Sequence, residues 1–313
     1  MPEFCFHPDP VDAGAASPAE TPNAALPVSV SVVILTLNEA DNLPGVLDSC
    51  AWCDDIAVLD SGSTDGTVEL AEARGVKVYH HAFESFGKQR NWAIENIPLK
   101  HDWVFHLDAD EHFTDGLVDE VGRRIAQASD EVAGFHVPHK LMLHDRWLRR
   151  AGGYPVYQMR LFHKKRMRFI DHGHGQREAP DTVTEKLVEP YLHFAFSKGL
   201  EPWLAKHNRY ARLEAQEMTS GGGLEFRLGD LFSGQAIQRR RAIKALAYRM
   251  PFRPKLRWWM VVLLQRGLLD GRSGLTYATM MSTYEQMIDL HLRDLRAPAP
   301  APGTGPGKTS GTP

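Results

Sequence analysis

The chain has 313 residues, of which 43% are hydrophobic and 24% charged, with a formal net charge of −3. That length suffices for one large α/β domain or two smaller ones, the composition is that of a folded globular protein, and the weak negative charge gives no whole-chain case for nucleic acid. Three cysteines exclude a disulfide framework, and Cys50-Ala51-Trp52-Cys53 has no second pair to complete a zinc site, so this pair reads as ordinary thiols near a helix end in a reducing cytosol.

Residues 1–27 are rich in Ala, Pro, Asp and Glu, lack an apolar core and read as a disordered leader, not a secretory signal. Val28 to Leu37 is a β-branched run of buried-strand character, and Ala40 to Cys50 follows as a helix. Ile56 to Leu59 is a second strand, ending in the loop Asp60-Ser61-Gly62-Ser63-Thr64-Asp65-Gly66-Thr67, where Thr64 or Asp65 can cap a helix over Val68 to Arg74. Val76 to His80, a helix over Gly87 to Ile97 and the strand Trp103 to Leu107 complete a strand–helix alternation to about Gln127. This alternation argues for a doubly wound, mostly parallel sheet, in which ligands bind at the strand C-terminal ends. Gly134 to Leu143 and Gln158 to Phe169 read as strands of a mixed region around the loop Gly152-Gly153-Tyr154-Pro155. After Pro190 the chain reads as helical to about Leu295, broken at Gly221-Gly222-Gly223, with a Pro/Gly/Thr-rich disordered tail over 297–313. The organisation expected is a domain over 28–190, with halves 28–127 and 128–190, and a helical extension over 191–296.

Four polar clusters fall at one edge of such a sheet: Thr36-Leu37-Asn38-Glu39, Asp60 with its loop, Gly87 to Asn91, and Asp108-Ala109-Asp110-Glu111. Strand alternation places Asp108 and Asp110 on the same side. Clustered carboxylates repel unless a cation lies between them, and Mg²⁺ or Mn²⁺ with substrate phosphates is the economical partner. Carboxylates at strand ends suit a nucleobase imide N–H or a ribose diol, and Lys88 or Arg90 suits base carbonyls or phosphate.

The pieces VSVVILTLNEADNL, AVLDSGSTDGT, GKQRN and FHLDADE, in that order, resemble family 2 glycosyltransferases of the GT-A fold over about residues 28–180. The later stretches GGYPVYQMRLFHKK, HGQRE and RGLLDGRSGL are similar to bacterial lipopolysaccharide-core β-glucosyltransferase-like proteins. The resemblance implies a nucleoside pocket containing Thr36, Asn38 and Glu39. In it Asp60 holds the pyrimidine, Arg90 supports the base or phosphates, Asp108 contacts the ribose and Asp110 binds the metal. It also implies a UDP-sugar donor, UDP-glucose or similar, and inversion at the anomeric centre by direct displacement onto a glycan or lipid-linked glycan of the cell envelope. A carboxylate must take the acceptor's proton. The candidates are Glu178, Asp171 and Asp145; Glu178 is favoured because the family often places a carboxylate after a His/Gly-containing loop here, although Gln176-Arg177 intervenes where the subgroup has a His-Glu dipeptide. His172 and His174 read as loop residues with the option of metal or phosphate contact.

Between Leu231 and Leu269 there is no Asp or Glu, while Arg239, Arg240, Arg241, Lys244, Arg249, Arg253, Lys255, Arg257 and Arg266 cluster beside Trp258 and Trp259. Basic residues with interfacial aromatics suit contact with an anionic membrane over 237–266, and no nucleic-acid motif accompanies them. The longest apolar run, Trp258 to Leu264, is far short of the ~20 residues of a membrane span. The expected location is the cytoplasm, peripheral to the inner face of the membrane. Two other functions compete with glycosyl transfer. A nucleotidyltransferase would need a Gly-rich basic loop after the first strand, where this chain has acidic Thr36-Leu37-Asn38-Glu39; a non-catalytic carbohydrate-binding scaffold would tolerate loss of Asp110.

Overall fold

The computed structural model describes residues 28–172, 175–219 and 252–297, with a few isolated positions between 229 and 239. The leader, the tail beyond 297, the glycine break at 221–223 and basic residues Arg240, Arg241, Lys244 and Arg249 lie outside the described residues.

The first half is wound as its pattern predicts. Strand β1 (Val30–Thr36) leads to α1 (Leu43–Ser49), β2 (Ile56–Asp60), α2 (Thr67–Ala73), β3 (Lys77–His80), α3 (Phe86–Asn96) and β4 (Trp103–Asp108). These strands lie parallel in the order β3-β2-β1-β4. Helices cover both faces, which is why β1 is apolar almost throughout. Val32 and Ile34 join Leu43, Val46, Leu117 and Val121 on one side, while Val33 joins Ala93 and Ile97 on the other. Truncating a side chain such as Ile34, fully buried in this layer, to alanine costs about 2–5 kcal/mol.

The second half departs from simple winding. After β5 (Glu111–His112) and α4 (Asp115–Gln127) come β6 (Gly134–Leu143), β7 (Arg146–Trp147), β8 (Val156–His163), β9 (Phe169–His172), β10 (Gly175–Glu178), β11 (Thr184–Lys186) and β12 (Tyr191–His193). The sheet continues β4-β8-β6-β12-β5, with β8 antiparallel to both neighbours and β5 antiparallel to β12. Thr114 caps α4 by accepting from the Leu117 N–H, as expected for a helix starting there.

Two expectations need correction. The run Gln158 to Phe169 is not one strand: a turn over 164–168 separates β8 from β9, and β9 leaves the main sheet to pair with β10. The chain after Pro190 is not helical at once, because Tyr191–His193 is a strand between β6 and β5. A three-residue strand carries too little periodicity to be seen in sequence.

Helices α5 (Leu200–Thr219), α6 (Arg253–Trp259) and α7 (Gly271–Arg296) follow. Trp203, Val261, Val262, Ala278 and Met280 pack on Leu143, Leu148 and Ala151, which docks this segment on the far end of the sheet. Ala211 and Ala215 of α5 pack against Ile288 and Leu292 of α7. Among the described residues, no helix is long and apolar enough to cross a membrane.

Candidate active site

The C-terminal ends of β1, β2 and β4 build the site. Thr36 and Asp60 are register partners, and the Thr36 hydroxyl donates to Asp60 Oδ1 at 2.9 Å. Asp60 also accepts from the Gly62 and Ser63 N–H groups at 2.8 Å each and from the Ser63 hydroxyl at 2.5 Å. Burial pushes its carboxyl up, but these donors outweigh that and hold it below the usual carboxylate range. Asn38 takes a left-handed backbone with φ 56°, which lets its side chain accept from the Thr64 N–H at 2.8 Å. Glu39 accepts from Lys198 Nζ at 2.6 Å and from Asn42 at 2.7 Å, and Lys198 also donates to the Asn38 carbonyl at 2.5 Å. The first two strand ends are thus tied to each other and to the loop after β12.

Next to them lies a buried charge cluster. Arg160, in the middle of β8, donates to Asp108 Oδ2 at 2.7 Å and to Glu111 Oε1 at 2.5 Å. Arg90, on α3, reaches Asp108 Oδ1 at 3.5 Å. Burial raises Asp108, yet Arg160 and Arg90 outweigh it and hold the carboxyl well below its ordinary value. Burial raises Glu111 and wins over Arg160. Arg90 is pushed down to about 10 by burial and then by Arg160, so it stays protonated at neutral pH. Arg90 Nε and Nη1 and Arg160 Nε are buried without an acceptor. Buried guanidinium N–H groups facing no acceptor are a ready place for an oxygen-rich ligand.

Asp110 lies in the turn after β4, and His193 Nε2 stands 3.5 Å from its Oδ2. Burial raises Asp110 and lowers His193, but their mutual attraction reverses both: Asp110 falls below and His193 rises above its usual value. His139, edge-on to His193 with centroids 5.2 Å apart, is driven down to about 4 by burial and then by His193, and is neutral. The strand ends at Asp108, so strand alternation does not itself set the side of Asp110. The two carboxylates still act on each other across the strand end, Asp108 lining one cleft and Asp110 the next.

The first cleft, about 460 Å³, is lined by Arg90, Asp108, His136, Arg160 and Glu178 among others. The second, about 520 Å³, is lined by Glu39, Asp110, His193, Lys198, Trp203 and Lys206 among others. Glu178 enters the first through the β9–β10 hairpin, which Asn91 of α3 holds by donating to the Phe169 carbonyl (2.8 Å) and accepting from the Phe169 N–H (3.0 Å). The Glu178 carboxylate stands 3.8 Å from His136 Nε2.

The other proposed site residues are placed elsewhere. Asp171 accepts from the Ser85 hydroxyl at 2.8 Å and the Gly87 N–H at 3.2 Å, fastening the hairpin to the start of α3. A Cβ at Gly87 would come 2.7 Å from Asp171 Oδ1, so this approach needs glycine. Asp145 sits exposed in the β6–β7 turn with φ 56° and lines neither cleft. Lys88 is exposed and bonded to Glu84 at 2.7 Å, away from the charge cluster. His174 and the His172 side chain lie outside the described residues. Cys50 and Cys53 are free thiols, pushed up to about 12 and about 11, in both cases chiefly by burial.

Arg160, His193 and His139 belong to the site without having been assigned a place in it from sequence, and Glu111, placed in the fourth cluster without a role, is a partner of Arg160. An arginine within the apolar strand run Tyr157 to Phe162 was the available signal, because a buried cation requires partners.

Among the described residues no group of three or more His, Cys, Asp or Glu side chains is gathered as a metal cage. Asp110 and His193 nevertheless fit a hard divalent ion: an oxygen and a nitrogen donor 3.5 Å apart, with His193 Nδ1 buried and unpartnered. Such ions take one or two protein carboxylates and complete their shell with substrate phosphates.

The model of Glycosyl transferase family 2 matches residues 31–180. The lipopolysaccharide core biosynthesis glycosyltransferase LpsC of Rhizobium meliloti is 26% identical over 208 residues, covering 62% of this chain and 73% of LpsC. An uncharacterized glycosyltransferase of Rickettsia bellii is 33% identical over 206 residues, covering 62% of this chain and 68% of that protein. Among solved structures, glucosyl-3-phosphoglycerate synthase from Mycobacterium tuberculosis in complex with phosphoglyceric acid overlaps with a TM-score of 0.41 at 17% identity, over 64% of this chain and 84% of that one. With the family's motifs at the ends of β1, β2 and β4 and its model running from β1 to β10, the chain belongs to glycosyl transferase family 2 and has the GT-A fold.

Proposed function

We propose that this glycosyltransferase is a metal-dependent, inverting hexosyltransferase. It moves a sugar, glucose or a close relative, from a UDP-sugar to a hydroxyl of a glycan or lipid-linked glycan during lipopolysaccharide or other cell-envelope assembly. The work takes place on the cytoplasmic face of the membrane. The similarity to LpsC supports the pathway. The observation that carries the chemistry is the Asp110–His193 pair set beside the Asp108–Arg90 pair at the end of β4.

Each residue then has a task. Thr36, Asn38, Glu39 and Asp60 shape the nucleoside pocket, with Asp60 also fixing the loop that closes it. Asp108 takes the ribose hydroxyls. Arg90 offers its unpartnered N–H groups to base carbonyl or phosphate oxygens. Asp110 and His193 would hold Mg²⁺ or Mn²⁺. That ion, when bound, neutralises the charge growing on the diphosphate leaving group. Glu178 accepts the proton of the attacking hydroxyl. Its neighbour His136 is kept low chiefly by burial and so is not a permanent counter-cation to the carboxylate.

Donor hydrolysis and transfer, measured with Mn²⁺ and then with chelator, test this reading. Activity should vanish with chelator and in Asp110→Ala. Glu178→Gln should keep donor binding and lose turnover; retained turnover would exclude Glu178 as the base.

A further inference from the structure

The segment Phe252–Leu269 exposes seven large apolar side chains: Phe252, Leu256, Trp259, Leu263, Leu264, Leu268 and Leu269. Leu264 is 81% exposed, Phe252 70% and Leu269 66%. Their neighbours are firmly buried. The π-turn Met260–Leu264 puts Val261 and Val262 into the core shared with Leu143 and Leu148, and turns Leu263 and Leu264 outward. The 3₁₀ turn Gly267–Asp270 repeats the device, burying Gly267 and presenting Leu268 and Leu269. A Cβ at Gly267 would come 2.8 Å from the Val261 carbonyl, so the two turns are packed backbone to backbone. Asp270 clamps them to the body by accepting from the Arg150 and Ala151 N–H groups at 2.9 and 2.7 Å. The leucines therefore stand on a fixed mount.

Within the segment the charge is of one sign, with Lys255, Arg257 and Arg266 and no acid between Phe252 and Leu269. Just beyond it, Asp270 is taken up by the Arg150 and Ala151 N–H groups, and Arg272 adds a further cation. Arg253, counted from sequence among the membrane-facing cations, is instead buried and bonded to Glu285 at 2.5 Å. The tryptophans divide as well: Trp258 packs against the C-terminal core, and Trp259 is 53% exposed. A two-fold dimer through this face would set the cations against their own copies. An anionic bilayer complements both the leucines and the cations.

We propose that Phe252–Leu269 is a membrane-insertion wedge, in which Leu263, Leu264, Leu268 and Leu269 enter the acyl boundary while Lys255 and Arg266 meet anionic headgroups. Tyr277 and Met281 of the 520 Å³ cleft lie on α7, which begins directly after the wedge. Tyr277 is six residues into that helix, about 9 Å along its axis, so the wedge would bring the cleft to the level of lipid-linked acceptors. The wedge deepens the membrane side of the proposed function, and vesicle binding is measured separately from donor binding.

Flotation of the full chain with phosphatidylcholine vesicles, with and without phosphatidylglycerol, is the test. Wild type should float with the anionic vesicles, less so as salt rises. Leu264→Glu/Leu269→Glu should lower the partition about tenfold or more, the scale expected for exposing one leucine that would otherwise be buried. Val188→Glu, at an exposed valine in another part of the fold, should float like wild type. Quenching by brominated acyl chains should fall in Trp259→Phe. Wild type that stays with the solvent, or a double variant that floats equally well, overturns the proposal. So does a wild-type dimer that the double variant dissociates, since the face would then be a contact between copies.

Discussion

His193 Nε2 stands 3.5 Å from Asp110 Oδ2, although one residue follows β4 and the other ends the last strand, β12. Pairing of β12 with β5 brings them together, through the register of His193 with Glu111. If the pair holds the divalent ion, His193→Ala should raise the Mn²⁺ concentration for half-maximal activity by a factor on the order of ten or more. A metal titration of activity at saturating donor checks this, and an unchanged midpoint would remove His193 from the metal shell.

Arg160 should be a stability residue as much as a site residue. It is buried, holds Asp108 and Glu111 together, and has the Tyr191 ring 5.8 Å from its guanidinium carbon. Removing one member of a buried ion pair costs about 3–5 kcal/mol because the other is left uncompensated. Arg160→Met should therefore show a loss of that size in denaturant unfolding. Arg160→Met/Glu111→Gln should lose less, since one of the two stranded carboxylates is gone and the other, Asp108, still faces Arg90.

Asp60 gives a pH signature. Its folded value lies below the ordinary carboxylate value, which is about 3.9 in an unfolded chain. Its stabilisation is thus complete above about pH 5 and is lost as pH falls through the folded value. Thermal melts between neutral and acid pH should show a shallower acid decline for Asp60→Asn than for wild type, starting from a lower neutral-pH stability.

The Cys50–Cys53 pair should be chemically silent in the folded protein. The nucleophile is the thiolate, and burial keeps both groups protonated, at about 12 and about 11. Peptide mapping after alkylation at mildly alkaline pH should find both unmodified in native protein and modified after denaturation.

The half of the candidate site at the ends of β1, β2 and β4 was legible because winding itself dictates where it lies. Thr36, Asp60 and Asp108 terminate parallel strands, so a strand–helix alternation places them at one edge. The antiparallel half had no such rule. Its order β8-β6-β12-β5 comes from long-range pairing, and His193 and Arg160 reach the site only through it. Lys88 sits two positions before Arg90, and on a helix that separation turns it to another face, where it pairs with Glu84. Asp110 was legible as a carboxylate, but its direction was not, because the strand ends two residues earlier.

The most direct test of the central claim is a thermal-shift measurement of wild type and Asp110→Ala with UDP-glucose, Mn²⁺, both together, and both with chelator. A ligand that binds only the folded state stabilises by mass action, by about 2.7 kcal/mol at a hundredfold excess over Kd. Wild type should gain most from donor and Mn²⁺ together, and both chelator and Asp110→Ala should abolish the metal-dependent part. An equal gain in Asp110→Ala, or a gain unaffected by chelator, would contradict a donor site built around a metal at Asp110.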